Sequence, residues 1–115
     1  MNHFNKLPEF EREFSKLSKK YRSLSEDLAK LEKLISLHPV GLGNNFVTIF
    51  HSDKAKVVKT RLACKSLKNR SIRIIYAYHQ NTLTFMYIEV YFKGDRENED
   101  RERIAEYLKT IKELS

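Results

Sequence analysis

Three segments between residues 57 and 92 have the composition of β-strands, and they constrain the fold more than any other part of the chain. They span residues 57–64, 71–78 and 83–92, and together they are rich in Val, Ile, Tyr and Phe. Only short connections separate them: a basic loop at 65–70 and a turn at Gln80 and Asn81. Connections of this length join antiparallel neighbours. We therefore predict an antiparallel meander at the centre of the fold.

Apolar side chains at helical spacing predict a helical hairpin in the first third of the chain. The first helix opens at Pro8, which suits a first helical turn. The second begins at Ser23, which with Glu26 fits a capping box. The two apolar stripes need a surface to cover, and the sheet supplies it. The stripes consist of Phe10, Phe14, Leu17 and Tyr21 in the first helix and of Leu24, Leu28, Leu31 and Ile35 in the second.

The remaining elements complete an α+β domain. A strand is predicted at residues 45–51, a short first strand at 3–6, and a last helix at 99–114 with Ile104 on its apolar face. The predicted fold is an N-terminal helical hairpin packed on a mostly antiparallel β-meander sheet, followed by a C-terminal helix. A chain of 115 residues is expected to form a single domain, 1–115.

The positive charge of the chain is concentrated on the predicted sheet. Residues 46–93 contain nine Lys or Arg and two Asp or Glu, so this segment carries the same net charge of +7 as the whole chain. The helical flanks are therefore neutral. This segregation favours a polyanionic partner, and nucleic acid before an anionic membrane surface.

The sequence also predicts a cytoplasmic protein without a metal or cofactor. It has no apolar run long enough to span a membrane, and residues 1–14 do not resemble a signal peptide. Its single cysteine, Cys64, cannot form an internal disulfide and falls on an apolar strand face. The four histidines lack the spacing of metal ligands, and there is no glycine-rich phosphate loop.

Period-two alternation predicts a cationic sheet face. It places Lys59 and Arg61 on one side of the 57–64 strand, Arg73 comes from the neighbouring strand, and Lys93 ends the next one. Cations from three adjacent strands could converge on one open face, where they would bind phosphates. The alternative is a solvated charged face without a partner. In the loop before the 71–78 strand, Lys65, Lys68 and Arg70 would extend the RNA-binding surface.

Aromatic side chains lie among these charges and could stack on bases of single-stranded RNA. Alternation along the last strand places Phe85, Tyr87, Glu89 and Tyr91 on one face, opposite a face formed by Thr84, Met86, Ile88 and Val90. For Tyr76, Phe85 and Tyr87, ordinary core packing is the preferred interpretation. For Tyr91, which is close to Glu89 and Lys93, both interpretations stay open.

The same residues could cleave RNA without a metal. The reaction needs a base for the 2′-hydroxyl, a cation for the phosphorane charge and an acid for the 5′-oxygen. Arg61 and Arg73 suit the second role, because a guanidinium binds phosphate oxygens bidentately. Glu89 could be the base or could hold an arginine in place, and Tyr91, His79 or Lys93 could be the acid. The candidate catalytic residues are Arg61, Arg73, Glu89 and Tyr91.

The order and spacing of several segments resemble the RelE/ParE superfamily of type II toxin–antitoxin toxins, on the RelE side. These segments are 7–17, 57–66, 71–76 with its Arg-x-x-Tyr pattern, and 91–98. The resemblance implies a toxin that inhibits translation by cleaving ribosome-bound mRNA without a metal, leaving a 2′,3′-cyclic phosphate and a 5′-hydroxyl. It also implies a cognate antitoxin as partner. The cationic strand pair of the family would fall on Lys59 and Arg61, and its Arg-x-x-Tyr arginine on Arg73.

Two other functions fit the same sequence. A ParE-like member would inhibit DNA gyrase and cleave nothing. A non-catalytic nucleic-acid-binding module would use the basic face for binding alone. The last alternative predicts that Glu89, Arg61 and Arg73 form a closed set of ion pairs with no open cleft.

Overall fold

The structure, a computed structural model, describes residues 3–67 and 71–114. The strands form one sheet in the order β1-β5-β4-β3-β2, in which β2 to β5 make an antiparallel meander and β1 lies parallel to β5. This confirms the predicted α+β fold. No helix in these two ranges is long and apolar enough to cross a membrane. The elements are β1 (His3–Lys6), α1 (Pro8–Lys20), α2 (Leu24–Leu37), β2 (Phe46–His51), β3 (Ala55–Ala63), β4 (Ser71–His79), β5 (Thr84–Phe92) and α3 (Arg101–Leu114).

The helical hairpin of α1 and α2 covers one face of the sheet, as predicted. Phe10 is fully buried against Tyr87, with ring centroids 5.0 Å apart. Tyr76, Phe85 and Tyr87 all lie in this core, which confirms the packing interpretation and removes them from contact with bases. Cys64 is buried in the same core.

Helix α2 begins differently from the predicted capping box. The Ser23 hydroxyl donates to Asp27 Oδ2 at 2.8 Å and accepts a hydrogen bond from the Ser66 backbone N–H at 2.9 Å, so it caps no helical N–H. The buried carboxylate of Asp27 also accepts a hydrogen bond from the Lys65 backbone N–H at 3.3 Å. These bonds hold the connection after β3 against the first turn of α2.

Helix α3 packs on the opposite face of the sheet. Its buried Ile104 contacts an apolar group on β3, β4 and β5 that includes Val57, Ile75 and Ile88. The predicted cationic face is therefore covered in part, because apolar side chains share it with the cations and pack against α3. The cations line a depression on the same face.

A β-bulge in β5 changes which side chains face α3. The register pairs Ile75 with Glu89 but Tyr76 with Tyr87, so Ile88 is the extra residue. Phe85 and Tyr87 therefore face the helical hairpin, whereas Ile88, Glu89 and Tyr91 face the α3 side. The strict alternation predicted for this strand, which put Tyr87 and Glu89 on one face, is wrong.

Side chains from α1 and α3, on opposite sides of the sheet, form hydrogen bonds with backbone groups at the bulge. Arg103 on α3 donates from Nη1 to the Ile88 carbonyl at 2.9 Å, and the Val90 N–H donates to Glu13 Oε1 on α1 at 3.2 Å. Arg103 and Glu13 bind each other bidentately, with both distances 2.8 Å. Because bulges leave ladder groups unpaired, this pair fixes the bulge and with it the direction of Glu89 and Tyr91.

Candidate nucleic-acid interface

A depression of about 370 Å³ lies on the α3 side of the sheet, next to the edge strand β2. Strand β3 contributes Lys59 and Arg61, β4 contributes Arg73, and Lys93 follows β5. The register places Arg61 directly opposite Arg73. The four cations predicted from alternation therefore do converge. The rest of the lining comes from β2 with its preceding loop and from the segment before α3: Asn44, Asn45, Val47, Ile49, Thr60, Asn98, Glu99 and Arg101.

The two arginines differ in their exposure to solvent. Arg61 is exposed, whereas Arg73 is buried with 6% of its surface accessible. Burial lowers the pKa of Arg73, and the charge of Arg61 lowers it further. An anion bound between the two guanidinium groups would relieve both effects. The two guanidinium groups thus concentrate positive charge at the depression.

Lys59 is engaged by a carboxylate that the sequence did not assign to the site. Its Nζ donates to Glu99 Oε1 at 2.8 Å, and Arg101 Nη2 lies 3.0 Å from Glu99 Oε2. Burial raises the pKa of Glu99, but the hydrogen bond from Lys59, a backbone hydrogen bond and the charges of Lys59 and Arg101 outweigh it and lower the pKa. The pKa of Lys59 is raised, chiefly by its hydrogen bond to Glu99.

Glu89 and Tyr91 lie beneath the segment that joins β5 to α3, and neither lines the depression. Glu89 is fully buried; its Oε1 accepts a hydrogen bond from the Asp100 N–H at 2.8 Å and its Oε2 contacts the guanidinium of Arg96. The same guanidinium lies 4.9 Å from the ring centroid of Tyr91. Of the two roles considered for Glu89, the geometry favours holding an arginine, and that arginine is Arg96.

The non-catalytic alternative predicts a closed set of ion pairs among Glu89, Arg61 and Arg73. Glu89 pairs with Arg96, and Arg61 and Arg73 both line the depression.

Two other sequence candidates, Lys65 and His79, do not line the depression. Lys65 is exposed and follows the end of β3, where its backbone N–H donates to Asp27. Lys68 and Arg70 lie outside the described residues. His79 is at the opposite end of β4 from Arg73, hydrogen-bonded to the Tyr107 hydroxyl, and burial lowers its pKa. The structure therefore does not bring His79 into the site.

The sequence did not indicate that Glu99, Arg101 and three asparagines, Asn44, Asn45 and Asn98, line the depression. The contact between Lys59 and Glu99 spans 40 residues. Its only signal in the sequence was the turn at Gly94 and Asp95, which sends the chain back toward the sheet. Nothing in local periodicity indicates which residue of the following acidic run reaches Lys59.

No group of three or more His, Cys, Asp or Glu could hold a metal ion within residues 3–67 and 71–114. No model of a known protein family matches the chain, and no curated protein matches it either. The functional conclusion therefore depends on the depression and on the chemistry of the residues that line it.

Proposed function

We propose that the protein is the toxin of a type II toxin–antitoxin system, a metal-independent endoribonuclease that acts on ribosome-bound mRNA. One observation carries the proposal: Lys59, Arg61, Arg73 and Lys93 line a single depression of about 370 Å³. The resemblance of the sequence to RelE-like toxins suggests the reaction, and the converging cations suggest where the RNA backbone would bind. Because ribosome-bound mRNA is found in the cytoplasm, the proposed function implies a cytoplasmic protein.

The lining of the depression suits a single nucleotide of an extended RNA strand. Its volume is at the small end of the range of about 300–1,000 Å³ that is usual for small-molecule sites. Cations on β3 and β4 line the depression together with Asn44, Asn45 and Asn98. Amides both donate and accept hydrogen bonds, so they can bind base edges while the cations bind phosphate.

Arg61 and Arg73 would stabilise the charge that develops on the phosphoryl oxygens as the 2′-oxygen attacks, its proton passing to water, and as the 5′-oxygen leaves. Tyr91 is the proposed acid. It is buried and Arg96 lies over its ring at 4.9 Å, so this role requires Arg96 to move aside when RNA binds. Glu89 is assigned to holding Arg96, because both of its oxygens are engaged. Products would end in a 2′,3′-cyclic phosphate and a 5′-hydroxyl.

Cleavage of mRNA by translating ribosomes supplied with the purified protein tests the proposal. We expect Arg61→Ala to slow cleavage about 100-fold, the usual loss when one donor to a transition-state charge is removed. Arg61 is exposed, so its removal should leave the fold intact. Arg12→Ala removes another exposed arginine, from α1 on the far side of the sheet, and should cleave like the wild type.

Equal rates for the Arg61→Ala and Arg12→Ala proteins would contradict the proposed site. Intact mRNA together with loss of gyrase supercoiling would instead favour the ParE-like alternative.

We further propose a cognate antitoxin that covers the basic face with an acidic or amphipathic segment. The affinity of the toxin for this antitoxin should fall as the salt concentration rises.

A further inference from the structure

We infer that the Glu99 carboxylate occupies a phosphate-binding position between Lys59 and Arg101, and that an RNA phosphate must displace it in order to bind. The inference rests on the proposed function and deepens it. It names a phosphate subsite next to the two arginines, and it names the group that competes for that subsite in the free protein.

The contacts of Glu99 are those expected of a bound anion. One oxygen lies 2.8 Å from Lys59 Nζ and the other 3.0 Å from Arg101 Nη2. Only 3% of its side chain is accessible, so the carboxylate is enclosed by the wall of the depression. Each carboxylate oxygen is paired with one cation, and two oxygens of a phosphate could bind the same two cations in the same way. Arg61 and Arg73 line the same depression.

The carboxylate can leave this position without disrupting α3. The helix is held by the neighbouring residue: Asp100 Oδ1 accepts a hydrogen bond from the Arg103 N–H at 3.1 Å, and the Asp100 N–H donates to Glu89 at 2.8 Å. Glu99 itself lies in the segment between β5 and α3, which is neither strand nor helix. Rotation of its side chain would exchange one anion for another around Lys59 and Arg101.

A role for Glu99 as general base fits the geometry less well. Both of its oxygens are already bound to cations, and the hydrogen bond from Lys59 helps to hold its pKa below the ordinary value although burial raises it. A carboxylate stabilised in its charged form in this way is a weak proton acceptor. Competition for phosphate is the role that these contacts support.

Binding of a single-stranded RNA oligonucleotide by Glu99→Gln and Glu97→Gln proteins tests the inference. Both substitutions remove one negative charge from the same segment, but Glu97 is exposed. We expect Glu99→Gln to bind about tenfold tighter than wild type at low salt. The slope of log K against log salt should also steepen by about 0.7 for each cation freed. Glu97→Gln should change both quantities little, and adding Lys59→Met to Glu99→Gln should remove the gain.

Equal effects of the two substitutions, or weaker binding by Glu99→Gln, would overturn the inference. If Glu99→Gln does not fold, Glu99→Asp, which retracts the carboxylate by one methylene, should tighten binding instead. If the wild type and both variants bind no RNA, the proposed function fails. The subsite is then judged by inorganic phosphate at constant ionic strength, which should raise the Tm of Glu99→Gln more than that of the wild type or Glu97→Gln. Without that difference the inference is overturned too.

Discussion

The ion pair of Lys59 and Glu99 makes the stability of the fold depend on pH. Burial raises the pKa of Glu99, but the hydrogen bond from Lys59 and the nearby charges outweigh it, so the pKa is lower in the folded chain. The stabilisation is therefore fully present above the pKa of an unfolded glutamate, about 4.3. It is lost as the pH falls through the lower folded pKa.

Urea unfolding at about pH 6 and about pH 3 measures this contribution. The free energy of unfolding should fall less between the two pH values for Glu99→Gln than for the wild type. Glu97→Gln should follow the wild type, because Glu97 is exposed. The same decrease in all three proteins would show that the Glu99 carboxylate is not stabilised in its charged form.

Two glycines before β2 provide a matched test of how the loop between α2 and β2 packs on Phe46. Gly41 has φ +82° and Gly43 has φ +81°, so alanine is strained at either position. Only at Gly41 would a Cβ collide with the ring of Phe46, the first residue of β2. We expect a loss of about 1 kcal/mol for Gly43→Ala and about 2–3 kcal/mol for Gly41→Ala in urea unfolding. Equal losses would mean that Phe46 does not contact Gly41.

The bulge in β5 depends on a pair of side chains from two helices, Glu13 on α1 and Arg103 on α3. Arg103→Ala removes a guanidinium that binds the Glu13 carboxylate and the Ile88 carbonyl. Both partners of this ion pair are mostly buried, with 15% and 26% of their side chains accessible. We expect a loss of about 3 kcal/mol, because a partly buried carboxylate is left without its partner.

The loss is measured as the shift of the urea unfolding midpoint, with Arg12→Ala on the exposed face of α1 as the control. That substitution should change the free energy of unfolding by less than about 0.5 kcal/mol. Hydrogen exchange at Val90 should also speed up in Arg103→Ala, since its N–H donates to Glu13. Midpoints that coincide for the two variants would mean that the pair does not hold the bulge.

The helices and strands could be predicted from the sequence, but the bulge in β5 could not. Helical spacing identified α1 and α2, and the short connections identified the meander, because these signals are local. The bulge is fixed by a contact between Glu13 and Arg103, which are 90 residues apart. No local pattern contains that contact. Strict alternation through Ile88 therefore predicted, wrongly, that Glu89 lies on the same face of the sheet as Tyr87.

Over the whole molecule, the two faces of the sheet differ in what covers them. The helical hairpin packs on one face, whereas α3 packs on apolar side chains of the other and leaves Lys59, Arg61, Arg73 and Lys93 around a depression. These four cations could be predicted, because strand period and register are strong signals. The anionic partner of Lys59 could not, because Glu99 reaches it through a turn whose geometry the sequence does not encode locally.

Induced expression in cells, with growth and mRNA integrity followed together, tests the central claim most directly. We predict that the wild type stops growth and that transcripts are cut within reading frames. Arg61→Ala should relieve both effects, and Arg12→Ala should relieve neither. Growth arrest with intact transcripts, or unaffected cells that contain the folded protein, would contradict the assignment of this chain as an mRNA endonuclease.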